Sequence, residues 1–254
     1  TKDGGVVSIG SGVAVTINGG TYSENKAVNG GVLHCDANTT MVINIAAGTF
    51  NKNQATGDSG GVLYCCGTLN ITGGVYFENS AGQYGGMVNI SANTKEAKIS
   101  NATVYDNYLT KTSNPYGGAF YISGGKTLTL SGCNIHDNKS NKNTFPIDIT
   151  IGNKATLELE DNVAVGVVRR AGKTDSIVRV LEKYTGSIYL ITYANQAPTV
   201  GDYMVTFDTA LSDSDKQSSA AHMTVRLVDT TKTPYVYDDT TYCVDSSGVV
   251  QLRQ

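Results

Sequence analysis

Apolar and polar residues alternate along most of this chain in short bursts, with no long stretch of helical periodicity. The segments VTINGGTYSEN from Val15, INIAAGTFNKN from Ile43, LNITGGVYFEN from Leu69, AKISNATVYDN from Ala97, LTLSGCNIHDN from Leu128 and LELEDNVAVGV from Leu157 start 28, 26, 28, 31 and 29 residues apart. In each, the first, third and eighth places are apolar, from Val15, Ile17 and Tyr22 to Leu157, Leu159 and Ala164. The eleventh place holds Asn25, Asn53, Asn79, Asn107 and Asn138, and the sixth copy breaks with Val167. A second signal precedes these segments. Glycine pairs ending at Gly5, Gly31, Gly61, Gly86 and Gly118 are followed, two and four places on, by Val7/Ile9, Leu33/Cys35, Leu63/Cys65, Val88/Ile90 and Phe120/Ile122. A sixth copy, FPIDI, keeps Ile147 and Ile149 without the glycines. Alternation with period 2 marks strands that bury one face.

Each period of about 28 residues therefore holds three short strands separated by turns. Repeats of this kind predict an all-β chain: a right-handed parallel β-helix of about six regular coils, in which like positions stack into ladders. At about 4.8 Å per rung, six coils rise roughly 29 Å. A stacked corner asparagine can bond its amide to the neighbouring coil and to local backbone, so Asn25, Asn53, Asn79, Asn107 and Asn138 are read as a structural ladder. The repeats occupy residues 1–165. Residues 166–254 lose the period yet still read as strands in SIVRVLEKY, GSIYLITYA, GDYMVTFDTA and MTVRLVDT, with one short helix starting at Ser212 or Asp213. Irregular final coils and a cap are expected there, with a separate small β domain as the alternative, because a solenoid end exposes unpaired strand edges.

The GGAF of Gly117 to Phe120, with FNKN at Phe50 to Asn53 and the YSEN and YFEN copies, resembles the GGA[ILV] and FxxN repeats of chlamydial polymorphic outer-membrane proteins. It is also similar to adhesin-like β-helix proteins displayed by gut bacteria. The resemblance covers about residues 1–165. It implies secretion, display on the bacterial cell surface and adhesion to a host partner. The chain departs from the outer-membrane pattern in carrying no autotransporter barrel, which leaves its anchoring route open. LEKYTGSIYLITY resembles the segment that closes many such β-helices. The opening TKDGGVVSI starts mid-pattern and reads as a fragment of a longer protein whose targeting signals lie elsewhere.

Composition narrows the partners. A net charge of −3, with 16% charged residues, offers no basic field for a nucleic-acid backbone or an anionic membrane. No apolar run approaches the ~18 residues of a membrane span. Cys35, Cys65, Cys66, Cys133 and Cys243 lack zinc spacing, and His34, His136 and His222 fall in unrelated contexts, so neither a metal nor a cofactor is expected. Cys35 and Cys65 occupy equivalent inward places on successive coils, as buried thiols or as a bridge. Catalysis on a polysaccharide would need carboxylates converging on one outer face. Only Glu158, Glu160 and Asp161 offer acids there, in a single coil, and they read as a solvated edge.

One surface stands out. The outward third place of the glycine-pair strand reads Ser8, His34, Tyr64, Asn89, Tyr121 and Asp148, flanked at the first place by Val6, Val32, Val62, Met87, Ala119 and Pro146. Such a stripe is either a partner-binding face, with His34, Tyr64, Asn89 and Tyr121 as its contact residues, or a face covered by turns. The expectation that follows is a non-enzymatic, monomeric, extracellular binding module. It would present a rigid face to a host protein or glycoprotein of the mucin or immunoglobulin class. A carbohydrate-active enzyme and a passive stalk are the alternatives.

Overall fold

The repeated period folds into coils that lie one on the next. In the computed structural model, which describes residues 2–36, 40–112, 116–141, 146–171, 175–193, 197–229 and 236–253, stacked parallel strands form a β-solenoid of about 7 turns with one short helix. An 18-stranded sheet carries both the glycine-pair strands and the strands that follow them, because in two coils these run together as Leu63–Ile71 and Val88–Ser100. A 6-stranded sheet stacks the third strands, from Thr21–Ser23 to Ala164–Val165. A 4-stranded sheet stacks two-residue strands from Lys26–Ala27 to Tyr108–Leu109, which the apolar pattern does not announce.

Register follows the apolar places. Ile17, Ile45, Ile71, Ile99, Leu130 and Leu159 form one inward ladder. Val7, Leu33, Leu63, Val88 and Phe120 form another. A third begins Tyr22, Phe50, Tyr76, Val104 and Ile135, whose first three rings stack at 4.8 Å with 7° between planes. The Tyr76 hydroxyl, buried with its ring, donates to the Gly73 carbonyl at 3.1 Å. The sixth rung of this ladder is Val165, not Ala164. The Glu160–Val163 turn holds one residue more than its counterparts, with Asn162 at φ 46°, so Val165 turns inward and Ala164 faces solvent.

The glycine pair closes each coil. In Gly60–Gly61 the first glycine sits at φ 64°, and a Cβ there would lie 2.1 Å from the Leu63 carbonyl oxygen. A Cβ on the second would come within 2.0 Å of the Gly86 oxygen and 2.7 Å of the Ser80 nitrogen. One glycine supplies the left-handed turn, and the other lets the start of the coil pass directly against its end.

The ladders run on past the loss of sequence period. Phe120 pairs with Ile149, then Val168, Leu190 and Val225 follow, at intervals of 22 and 35 residues for the last two steps. The last turn is sealed by antiparallel strands Val236–Asp238, Tyr242–Val244 and Val250–Leu252. Helix Asp213–Ala221 also packs here: the Ser212 side chain caps it by accepting from the Asp215 N–H, and Ser219 Oγ accepts from the Tyr184 N–H at 2.9 Å. Arg226 makes two bonds to Asp239, at 2.6 and 2.7 Å, and lies 3.8 Å from the Tyr189 ring centre.

The asparagines form a directed chain of amides. Asn79 Oδ1 accepts from both the backbone N–H and the side-chain amide of Asn53, at 3.0 and 2.9 Å. Its own amide donates to the Phe50 carbonyl and to Asn107 Oδ1, both at 2.9 Å. All four hydrogen-bonding positions of a fully buried amide are thereby used. The same step repeats from Asn25 to Asn53 and from Asn107 to Asn138. Every asparagine-to-asparagine link points its donors toward the C-terminus, and the group that follows Asn138 in the row must also meet the Val167 N–H, so it needs to accept on both oxygens. Asp148 does so: Oδ1 accepts from the Asn138 backbone and amide, and Oδ2 from the Val167 N–H at 2.7 Å. Asp148 is thus 1% exposed and inside the coil, where the alternation had placed it outside beside Tyr121. The register opposite Phe120 belongs to Ile149, two residues later than the apolar alignment put it, and Tyr121 faces Thr150.

Burial pushes the Asp148 carboxyl up to about 6, against the three N–H bonds that favour its ionised form. Because the folded state then holds the proton more tightly than the unfolded chain, this group's contribution to stability is present below about pH 4 and is lost as pH rises to about 6. Urea unfolding of the parent and of Asp148→Asn across that window is expected to show the parent losing stability relative to the variant, by on the order of 3 kcal/mol. Equal slopes would refute the assignment. Asn79→Ala is expected to cost at least ~2 kcal/mol at every pH, since it strands the donors of Asn53. Phe50→Ala, which empties the middle of the ring stack, is expected to cost about 3–5 kcal/mol by the same measurement.

Candidate functional site

The third-place residues are brought into one row. His34 pairs in register with Tyr64, Tyr64 with Asn89, and Asn89 with Tyr121. Beyond them the row continues through Thr150 and Arg169. The flanking first-place residues do not join it. Val32, Val62, Met87 and Ala119 are buried within the main core. The cause is a repeated bend at the strand entry: Val32 and Leu33 both donate to the Val62 carbonyl, Val62 and Leu63 to Met87, and Met87 and Val88 to Ala119. Each first-place residue lies just before its strand, which begins at Leu33, Leu63, Val88 or Phe120, so strict alternation fails there and its side chain turns inward with its neighbour. Val6, in the first coil, remains 47% exposed.

The row is half covered by the turns that lead into each glycine pair. Ser59, Tyr84 and Tyr116 stack on one another through isolated parallel bridges and face the strand residues across a concave corner. Tyr121 lies against Tyr84 at 4.9 Å and against Tyr116 at 5.4 Å, and Tyr84 and Tyr116 stack at 5.4 Å with 6° between planes. The Arg169 guanidinium lies 5.1 Å from the Tyr116 ring centre. The Asn89 amide donates to Ser59 Oγ at 3.0 Å. His34 stacks on Tyr64 at 5.2 Å and sits 3.9 Å from both Asp3 and Asp36. His34 and Asn89 are buried, whereas Tyr64, Tyr84, Tyr116 and Tyr121 are half-buried. Burial raises the Tyr64, Tyr84 and Tyr121 phenols, which therefore stay neutral hydroxyls at physiological pH. The corner combines ring surface with neutral polar tips on a rigid backbone, the mixture that favours contact with a protein surface.

A second surface lies over the asparagine corner. The residue before each ladder asparagine is charged and held in the left-handed region: Glu24, Lys52, Glu78, Asp106 and Asp137, at φ between 53° and 58°. The residue after it belongs to the 4-stranded ladder, where Gln54, Ser80 and Tyr108 stack in register and Lys139 follows Tyr108. Between the two rows runs an open groove of about 610 Å³. One residue before Glu78, Asp106 and Asp137 stand Phe77, Tyr105 and His136, stacked at 5.2 and 5.6 Å with planes within 5°. This row occupies the place two before Asn79, Asn107 and Asn138, whereas Ser23 and Asn51 hold that place before Asn25 and Asn53, so no ring repeats there along the whole array.

At the acidic edge of the sixth coil, Glu158 is engaged by its neighbours. Glu158 accepts from Thr129 Oγ1 at 2.9 Å and from Arg179 at 3.2 Å, and Arg179 also reaches Asp208 at 3.6 Å. Glu160 borders a separate shallow cavity beside Lys98 and Thr129. All five cysteines are free, and four are buried. Burial pushes the Cys35 thiol up to about 11 and Cys65 higher still, so both behave as small apolar groups. His136 lies on the outer face of Asn134–His136, and His222 is the C-cap of the helix. Among the described residues no cluster of three or more His, Cys, Asp or Glu side chains could hold a metal, and no helix is long and apolar enough to cross a membrane. No family model matches the chain, and no curated protein or solved structure shows significant similarity to it.

Proposed function

We propose that this chain is a non-enzymatic, adhesin-like binding module of the bacterial cell surface that presents a rigid solenoid face to a host protein or glycoprotein. The observation that carries the reading is the tyrosine corner. Tyr64, Tyr84, Tyr116 and Tyr121 are half-buried and ordered against one another, so they offer contact area whose side-chain entropy is already spent in the free protein. Tyrosine is among the residues that dominate binding energy in protein interfaces. The likeness of the GGAF and FNKN repeats to surface-displayed β-helix proteins supports an extracellular setting and a partner of the mucin or immunoglobulin class. The chain acts as a monomer in this reading, with the corner as its docking face for that protein partner.

The test is direct binding to purified mucin and to polyclonal immunoglobulin by biolayer interferometry. Tyr84→Ala combined with Tyr116→Ala removes the outer rings and leaves the inward ladders untouched. It is expected to weaken binding to whichever partner is recognised by about 30-fold, or ~2 kcal/mol, with the melting temperature nearly unchanged. Undiminished affinity in that variant, or no binding by the parent to either partner, would remove the corner from consideration.

A further inference from the structure

We propose that the groove over the asparagine corner is a second binding site, for a neutral, hydroxyl-rich linear ligand: an oligosaccharide of about three sugar units. The groove spans four successive coils, from Lys52 and Gln54 at one end to Lys139 at the other, a run of roughly 14 Å at the spacing of stacked strands. Its volume of about 610 Å³ lies within the range of small-molecule sites.

The charge order selects the ligand. Lys52 and Lys139 stand at the two ends and Glu78 and Asp106 between them, so the formal charges cancel. An anionic chain would meet the two carboxylates at its centre, and a polycation would meet an ammonium at each end. A hydroxyl suits every position, because it donates and accepts at once. The pairs are also loosely made. Lys52 and Glu78 are 3.8 Å apart, and Lys139 and Asp106 are 4.0 Å apart, both beyond hydrogen-bond length. Each ammonium therefore keeps donors and each carboxylate keeps lone pairs for a bridging hydroxyl. The opposite row supplies an amide at Gln54 and hydroxyls at Ser80 and Tyr108.

A further observation points the same way. A left-handed turn residue is least strained as glycine, yet Lys52, Glu78 and Asp106, three of the residues that line the groove, sit at φ 53° to 56°. The tyrosine corner lies on a different sheet, and this site stands or falls independently of it.

Isothermal titration calorimetry of the full chain with chitotriose, cellotriose and maltotriose tests the proposal, with trigalacturonate and a chitosan trimer as the anionic and cationic arms. Saturable binding of a neutral trisaccharide is expected, weakened about tenfold by Glu78→Gln combined with Asp106→Asn, which keeps shape and removes charge. Lys139→Met is expected to weaken it similarly, and a thermal melt of each variant separates lost contact from lost fold. Tighter binding of either charged trimer would overturn the proposal. So would the absence of heat from all three neutral sugars, or unchanged affinity in folded variants.

Discussion

The hydrogen-bonded amide chain from Asn25 to Asp148 is the constraint on which the rest of the solenoid depends. A coil that reverses direction at a tight corner buries backbone groups that no strand can pair, and an unpaired buried amide costs as much as several ordinary contacts contribute. One asparagine per coil satisfies backbone groups of the coil before it, as Asn79 does by accepting from the Asn53 N–H and donating to the Phe50 carbonyl. Because each link both gives and receives, neighbouring coils must share one register at this corner. That register then aligns Phe50 on Tyr76 and Leu63 on Val88.

The aromatic and aliphatic ladders supply most of the burial, and they exclude a slip of one residue, which would turn every inward side chain to solvent. The directed row of donors and acceptors also excludes a slip of two, which an alternating apolar strand alone would tolerate. The glycine pair plays the complementary part, for it holds the cross-section closed where the beginning of a coil touches its end. Amide chain and glycine contact lie next to each other in space: the Cβ missing from Gly118 would sit 2.3 Å from the nitrogen of Lys139, immediately after Asn138.

Most of this frame could be read from residue order, because it recurs. The inward places from Val15 to Leu157, the asparagines and the glycine pairs all repeat at nearly constant spacing, and stacking turns such repetition into contact. What escaped reading did so for local reasons. Asp148 ends the amide chain from ten residues beyond Asn138, where no period could point to it. The bend at Val32, Val62 and Met87 breaks alternation without changing composition, so buried residues were read as part of an outer stripe. Of the proposed contact residues, the row His34, Tyr64, Asn89 and Tyr121 was legible as a row, but its covering partners Tyr84 and Tyr116 depend on how the connecting turns fold back. The final turns keep stacking through Val168, Leu190 and Val225 even though their unequal connections hide any repeat.

The polarity of the amide chain has a consequence for how such a molecule changes length. Every internal link is chemically identical at its two ends, so a coil inserted or removed between Asn25 and Asn138 leaves each remaining donor facing an acceptor. Only the carboxylate at Asp148 is unlike the others, and it tolerates nothing of the same kind beyond it. The solenoid is therefore free to grow by duplication in its middle, while the sequence that ends the array must be inherited as a single unit.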